Sequence, residues 1–213
     1  MKRNVRLEDI TDGKIYELND MVRADTGGCK DCYVCCTGMG DSVVLDPYDI
    51  YRMMQGLACS FDELLLTKIN MHVEDLLILP NMKIEGEDER CVCLGEDGRC
   101  TVHAYRPSVC RLFPLGRYYH DDRFSYILQV HECVKPNRAK IKVKKWIGNP
   151  DGDRYDEFVL AWRDFKKNVQ AYMKEVDSEE KVKAMNMYVL EKFFGRPYDS
   201  NRDFYEQFYE RLQ

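Results

Sequence analysis

Several absences narrow what this chain can be. Its longest apolar runs, such as Leu76 to Pro80, fall far short of the roughly 20 residues that a membrane-spanning helix needs. Met1 to Ile10 alternates charged and apolar residues with no hydrophobic stretch, so no secretory signal is visible and the cytosol is the expected compartment. Positive charge is not in surplus either. The 213 residues hold 32 Lys+Arg against 37 Asp+Glu, a net charge of −5, which gives no overall attraction for nucleic-acid phosphates or anionic lipid. No P-loop and no Ser/His/Asp set is present, and the C-x3-C-x2-C spacing of radical enzymes is missing. The glycines of Gly38-Met39-Gly40-Asp41 precede the strand-like Val43 to Asp46, whereas a nucleotide-binding glycine loop follows a strand. The expectation is a protein without membrane or nucleic-acid partners, whose protein partner or substrate is unspecified.

What the chain does have is cysteine. It holds 10, against only 4 histidines. In a reducing compartment thiols stay free, and free thiols a few residues apart call for metal ligation or redox chemistry. All lie between Cys29 and Cys133, which divides the chain into a cysteine-rich part, residues 1–148, and a helical C-terminal extension, residues 149–213, packed on it. Asn149-Pro150-Asp151-Gly152 is a turn signal at the join.

Local patterns predict the elements. Asp46-Pro47 reads as a cap and first residue of a helix running to about Leu57. Ser60-Phe61-Asp62-Glu63 is a capping box that predicts a helix over 61–71. Leu76 to Leu79, Cys91 to Leu94 and Arg99 to His103 read as short strands, with Gly95 to Gly98 as a hairpin turn. Leu115 to His120 and Phe124 to Val130 read as a second hairpin around Asp121-Asp122. Lys140 to Trp146 alternates basic and apolar residues; an edge strand with solvated lysines explains it better than a nucleic-acid patch. Farther on, Tyr155, Phe158, Trp162, Phe165, Val169 and Tyr172 share one helix face. Val182, Met185, Val189 and Phe193 do so in a second helix capped by Ser178, and Phe204, Phe208 and Leu212 in a third. Core packing explains these stripes better than a ligand pocket. The expected fold is α+β: a small irregular metal-organised domain with short antiparallel strands, plus C-terminal helices.

The chemistry concentrates in two motifs. Cys29-x-x-Cys32-x-x-Cys35-Cys36 sets thiols at every third residue, close to the C-x2-C-x2-C run that supplies ligands to bacterial iron–sulfur clusters. Gly27, Gly28, Gly38 and Gly40 suit a backbone wrapped tightly around such a group. The adjacent Cys35 and Cys36 point to different sides of an extended chain, so two sites sharing the loop are favoured over one ligand with a supporting thiol. In the second motif Cys91 and Cys100 bracket the predicted hairpin, and Arg106-Pro107 turns the chain so that Cys110 arrives nearby. Arg106 and Arg111 flank Cys110 and could offset thiolate charge, Arg106 being the better candidate. His131, two residues before Cys133, is the one histidine worth testing as an alternative ligand.

The two motifs together, C-x2-C-x2-C-C and G-x-C-x-V-H-x2-R-P-x2-C-R-x-F-P, resemble the YkgJ-type cysteine-cluster family. That family is described as a zinc- or iron-chelating domain and includes a relative of flagellin lysine N-methylase. The resemblance covers roughly Gly28 to Cys133. It implies eight ligand candidates: Cys29, Cys32, Cys35, Cys36, Cys91, Cys100, Cys110 and Cys133. Cys59 and Cys93 fall outside the pattern and read as ordinary buried thiols, and His103 stands where the family more often has tyrosine. Eight thiols suffice for two four-coordinate sites. One dense loop with dispersed later cysteines favours an iron–sulfur cluster over Zn2+, since zinc ribbons pair their C-x2-C knuckles. The expected role is structural, redox or metal-handling; the alternative is a protein-modifying enzyme, flagellin lysine N-methylase-like, that uses the metal as cofactor or scaffold.

Overall fold

The computed structural model describes residues 6–28, 32–148 and 151–213. It is α+β, with helices and short antiparallel strands in small sheets. The chain opens with α1 (Leu7–Ile10), β1 (Thr11–Tyr16) and β2 (Met21–Asp25). Past the first cysteine motif come α2 (Pro47–Leu57), α3 (Phe61–Thr67), β3 (Ile69–Glu74) and β4 (Leu77–Met82). Next come β5 (Ile84–Glu85), β6 (Arg90–Cys91), where the second motif begins, and α4 (Ser108–Leu112). Then follow β7 (Leu115–Tyr119), β8 (Phe124–Gln129), β9 (Ala139–Lys142) and α5 (Val143–Ile147). Three helices end the chain: α6 (Asp153–Glu175), α7 (Glu179–Leu190), which runs on into a π-turn at Glu191–Gly195, and α8 (Phe204–Leu212).

The largest sheet has only three strands, in the order β1-β8-β7, and the pairs β2-β9, β3-β4 and β5-β6 stand as separate ribbons. Two-stranded ribbons are marginal by themselves. Here they survive by packing on helices. A single cluster of buried side chains runs from Val22 and Leu45 through Leu79 to Phe158, Phe193 and Phe208.

The caps hold as the sequence suggests. Asp46 accepts from the Asp49 N–H at 2.8 Å, and Ser60 and Glu63 exchange hydrogen bonds at the start of α3. Elsewhere the structure corrects the reading. The helix expected over 61–71 stops at Thr67, because Ile69 to Glu74 pairs with β4 and buries Ile69 against the core. Cys91 to Leu94 and Arg99 to His103 are not strands. Only Arg90–Cys91 is extended, and Leu94 and Cys100 meet in an isolated bridge around the Gly95–Gly98 turn. Lys140 to Trp146 is a strand only as far as Lys142 and then turns helical, which lets Val143 and Ile147 bury themselves. Tyr172 leaves its stripe and is 45% exposed, and Met173 takes the buried position. Of the expected join, Asn149 and Pro150 lie outside the described residues.

Candidate metal centre

Three segments bring the cysteines together, each pinned by backbone bonds. The first motif ends in a 3-10 turn, Val34–Cys36, closed by the Cys36 N–H donating to the Tyr33 carbonyl at 2.7 Å. Gly38, at φ +66°, then donates to the Glu89 carbonyl at 3.1 Å, and Thr37 bridges Arg90. These bonds fasten the loop to the ribbon that carries Cys91. That positive φ explains why a glycine follows the motif.

The second segment is a compact turn. The Leu94 N–H donates to the Cys91 carbonyl at 2.9 Å, and Thr101 donates to the Cys93 carbonyl from both its N–H (2.8 Å) and its hydroxyl (3.0 Å). Arg90 braces the turn from outside through the Leu94 and Gly95 carbonyls. The third segment is α4. Its start is anchored to α2 by the Ser108 N–H and hydroxyl, which both donate to the buried Asp49 carboxylate at 2.7 and 3.0 Å. Two residues later Cys110 borders the same space as the other two segments.

Between the segments lies a cavity of about 250 Å3 lined by Cys32, Cys35, Cys36, Cys91, Cys93, Cys100 and Cys110. Its remaining walls are mostly apolar, including Met39, Met82, Val109 and Phe113, and its polar groups beyond the thiols are Arg99, His103 and Arg106. A water molecule needs roughly 10–15 Å3 of such space, so the cavity exceeds a single small guest many times over. The nine cysteines among the described residues are all free thiols. Among those residues no three His, Cys, Asp or Glu side chains already stand close enough to hold one metal ion. The thiols thus line the walls of a space without converging on a point. The Cys35 and Cys36 sulfurs lie 4.0 Å apart and both border this cavity, so adjacency has not sent them to opposite sides.

The electrostatics are those of crowded sulfur. A hydrogen bond from Cys36 holds the Cys35 thiol down at about 7, against burial, and the Arg106 charge helps. A hydrogen bond from Cys93 holds Cys91 down to about 6, again against burial. Cys36 and Cys93, the donors, are pushed up correspondingly. Burial raises Cys100 and Cys110, with the neighbouring Cys91 adding to the effect. A thiol is a metal ligand when deprotonated, so Cys35 and Cys91 are the two held ready to give up a proton to a cation, while the other four thiols hold theirs more tightly. The His103 ring is lowered by burial and by Arg106 and Arg99, and its Nε2 is engaged by Arg106 Nη1 at 2.8 Å. Arg111, the other flanking arginine, points away. It lies buried against the Tyr155 ring, its centre 5.5 Å from the ring centroid.

The expected ligand candidates are therefore distributed unevenly. Cys32, Cys35, Cys36, Cys91, Cys100 and Cys110 share the cavity, and Cys29 lies outside the described residues. Cys133 does not border it; with Cys32 and Cys35 it lines a separate space of about 30 Å3. His131 is exposed and borders neither space, and Cys59 is likewise remote. Cys93, set aside from the sequence, lines the main cavity; its signal was its place two residues from Cys91 in a tight turn.

A family model covers residues 28–137, the CxxCxxCC family, whose description reads "Putative zinc- or iron-chelating domain". The chain belongs to this family, and the matched residues include every segment that borders the cavity. No curated protein and no solved structure matches the chain.

Proposed function

We propose that the chain binds metal through the thiols of the main cavity, with an iron–sulfur cluster favoured over Zn2+. The observation that carries this reading is the cavity itself. Six of the family-motif thiols line a space far larger than one ion, with room for a multi-atom cluster. The residues that would hold the group are Cys32, Cys35, Cys36, Cys91, Cys100 and Cys110, with Cys29 a further candidate from the first motif. When bound, a cluster supplies one-electron redox capacity and a covalent tie between chain segments, whereas zinc supplies the tie alone.

The surrounding residues support that role. Arg99 and Arg106 bring positive charge to a centre of thiolates whose remaining walls are mostly apolar. His103 holds Arg106 in place, so its Nε2 lone pair is not free for a metal. Free thiols of this density fit a reducing compartment such as the cytoplasm. A second reading, a protein-modifying enzyme of the flagellin lysine N-methylase kind, draws on these same polar groups beside the cysteines and on the space left over in the cavity.

Anaerobic purification followed by iron, zinc and acid-labile sulfide analysis and a visible spectrum tests the proposal. A brown protein with iron and sulfide is the expected result. Stoichiometric zinc in a colourless protein reverses the choice of metal, and a metal-free, fully folded protein overturns the reading.

A further inference from the structure

We infer that the thiol set around the main cavity includes Cys93 and excludes Cys133. This rests on the metal-binding reading above and departs from the ligand set that the family pattern implies. The two cysteines occupy opposite situations. Cys93 is buried and is one of the residues that line the main cavity. Its backbone is fixed on both sides by the two hydrogen bonds from Thr101 and by the Leu94–Cys100 bridge. It stands two residues from Cys91, a cavity residue within the family pattern. Cys91, Cys93 and Cys100 thus present three sulfurs from one rigid turn of the chain.

Cys133 lies behind the opposite wall. Cys32, Cys35 and Phe113 border both spaces and so form the partition between them. Phe113 is held there by its neighbourhood: the Trp146 indole N–H donates to the Leu112 and Phe113 carbonyls at 3.3 and 3.2 Å. A sulfur on Cys133 would have to pass this wall to reach the main space. The space it borders, about 30 Å3, is too small for a cluster.

The test compares Cys93→Ser, Cys133→Ser and Cys110→Ser in the full chain, reconstituted anaerobically with Fe2+ and sulfide and, separately, titrated with Co2+. Thiolate-to-cobalt absorption reports sulfur ligation independently of any activity. Cys133→Ser should keep wild-type metal content and spectrum. Cys93→Ser should bind Co2+ about tenfold or more weakly and lose charge-transfer intensity, as Cys110→Ser does. Because a buried serine can disturb packing, Cys93→Ala serves as a second variant, with far-UV circular dichroism of each metal-free form as the control for folding. The inference is overturned if Cys133→Ser loses metal as completely as Cys110→Ser, or if both Cys93 variants retain the wild-type spectrum. A metal-free wild type sinks the functional reading as well, whereas a metal-loaded wild type with the opposite variant pattern sinks only this one.

Discussion

The cysteine turns and the C-terminal helices hold their shapes by different means. Around the cavity, regular structure is scarce: the 3-10 turns Val34–Cys36 and His103–Tyr105, a pair of two-residue strands, a compact turn and the five-residue α4. Side chains there are half-exposed, and the backbone is tied by local turns. In the C-terminal helices, by contrast, aromatic rings supply the order. Phe158 and Phe208 meet edge to face at 4.7 Å, Trp162 packs on Phe193 at 5.1 Å, and Tyr48 reaches across from α2 to Phe204 at 5.0 Å. Burial stabilises this region in proportion to the apolar area it removes from water. The cavity region has less to bury, so under the proposed function metal ligation would add to the backbone bonds that tie it.

That contrast can be broken most directly by removing the metal. Chelation, or Cys110→Ser, should cost several kcal/mol in the cavity region, the order of the coupling between metal binding and folding in small metal-organised domains. Amide exchange should accelerate across residues 84–112 while α6 and α8 stay protected. Equal loss of protection in both regions would show that the metal supports the whole core. The converse change is Phe158→Ala, expected to cost about 3–5 kcal/mol by cavity formation in denaturant titrations. Metal content per folded chain should not change.

A smaller effect probes the seam. Asn186 on α7 is buried; it accepts from the Ile78 N–H at 2.6 Å and donates to the Leu76 and Val182 carbonyls at 3.0 and 3.1 Å. Asn186→Ala strands these groups and should cost about 1–3 kcal/mol. If thermal unfolding then splits into two transitions, Asn186 is what makes the regions melt together.

The mildest test is one of pH. Burial and the charge of Asp49 push Asp46 up to about 7, and burial also raises Asp49. The folded state then holds a proton that the unfolded chain releases above about 4, so this group's contribution to stability is present at low pH and lost as pH rises toward 7. Asp46→Asn, which still caps α2, should flatten that part of the slope in metal-free protein. An unchanged slope would assign the titration to other groups.

Much of this contrast was legible in the sequence, because its causes are local. Helix caps at Asp46, Ser60 and Ser178 depend on residues three apart, and the aromatic stripes repeat at the helical period, so α2, α6, α7 and α8 can be read directly. Family membership is equally local, carried by the spacing of thiols around a glycine-flanked loop. Where a helix gives way to a strand at Thr67, or a strand to a helix at Lys142, tertiary pairing decided, since short segments have no strong preference of their own.

The site divides in the same way. Residue type and spacing identified a thiol-rich metal-binding chain. Which sulfurs share a space was decided only when three separate segments packed together. Hydrogen bonds from Thr101 and Trp146, and the position of Phe113, turned Cys93 toward the main cavity and left Cys133 behind a wall. Thr101 and Phe113 lie inside the second motif, but the Trp146 contact joins residues far apart in the chain, and no local pattern records it.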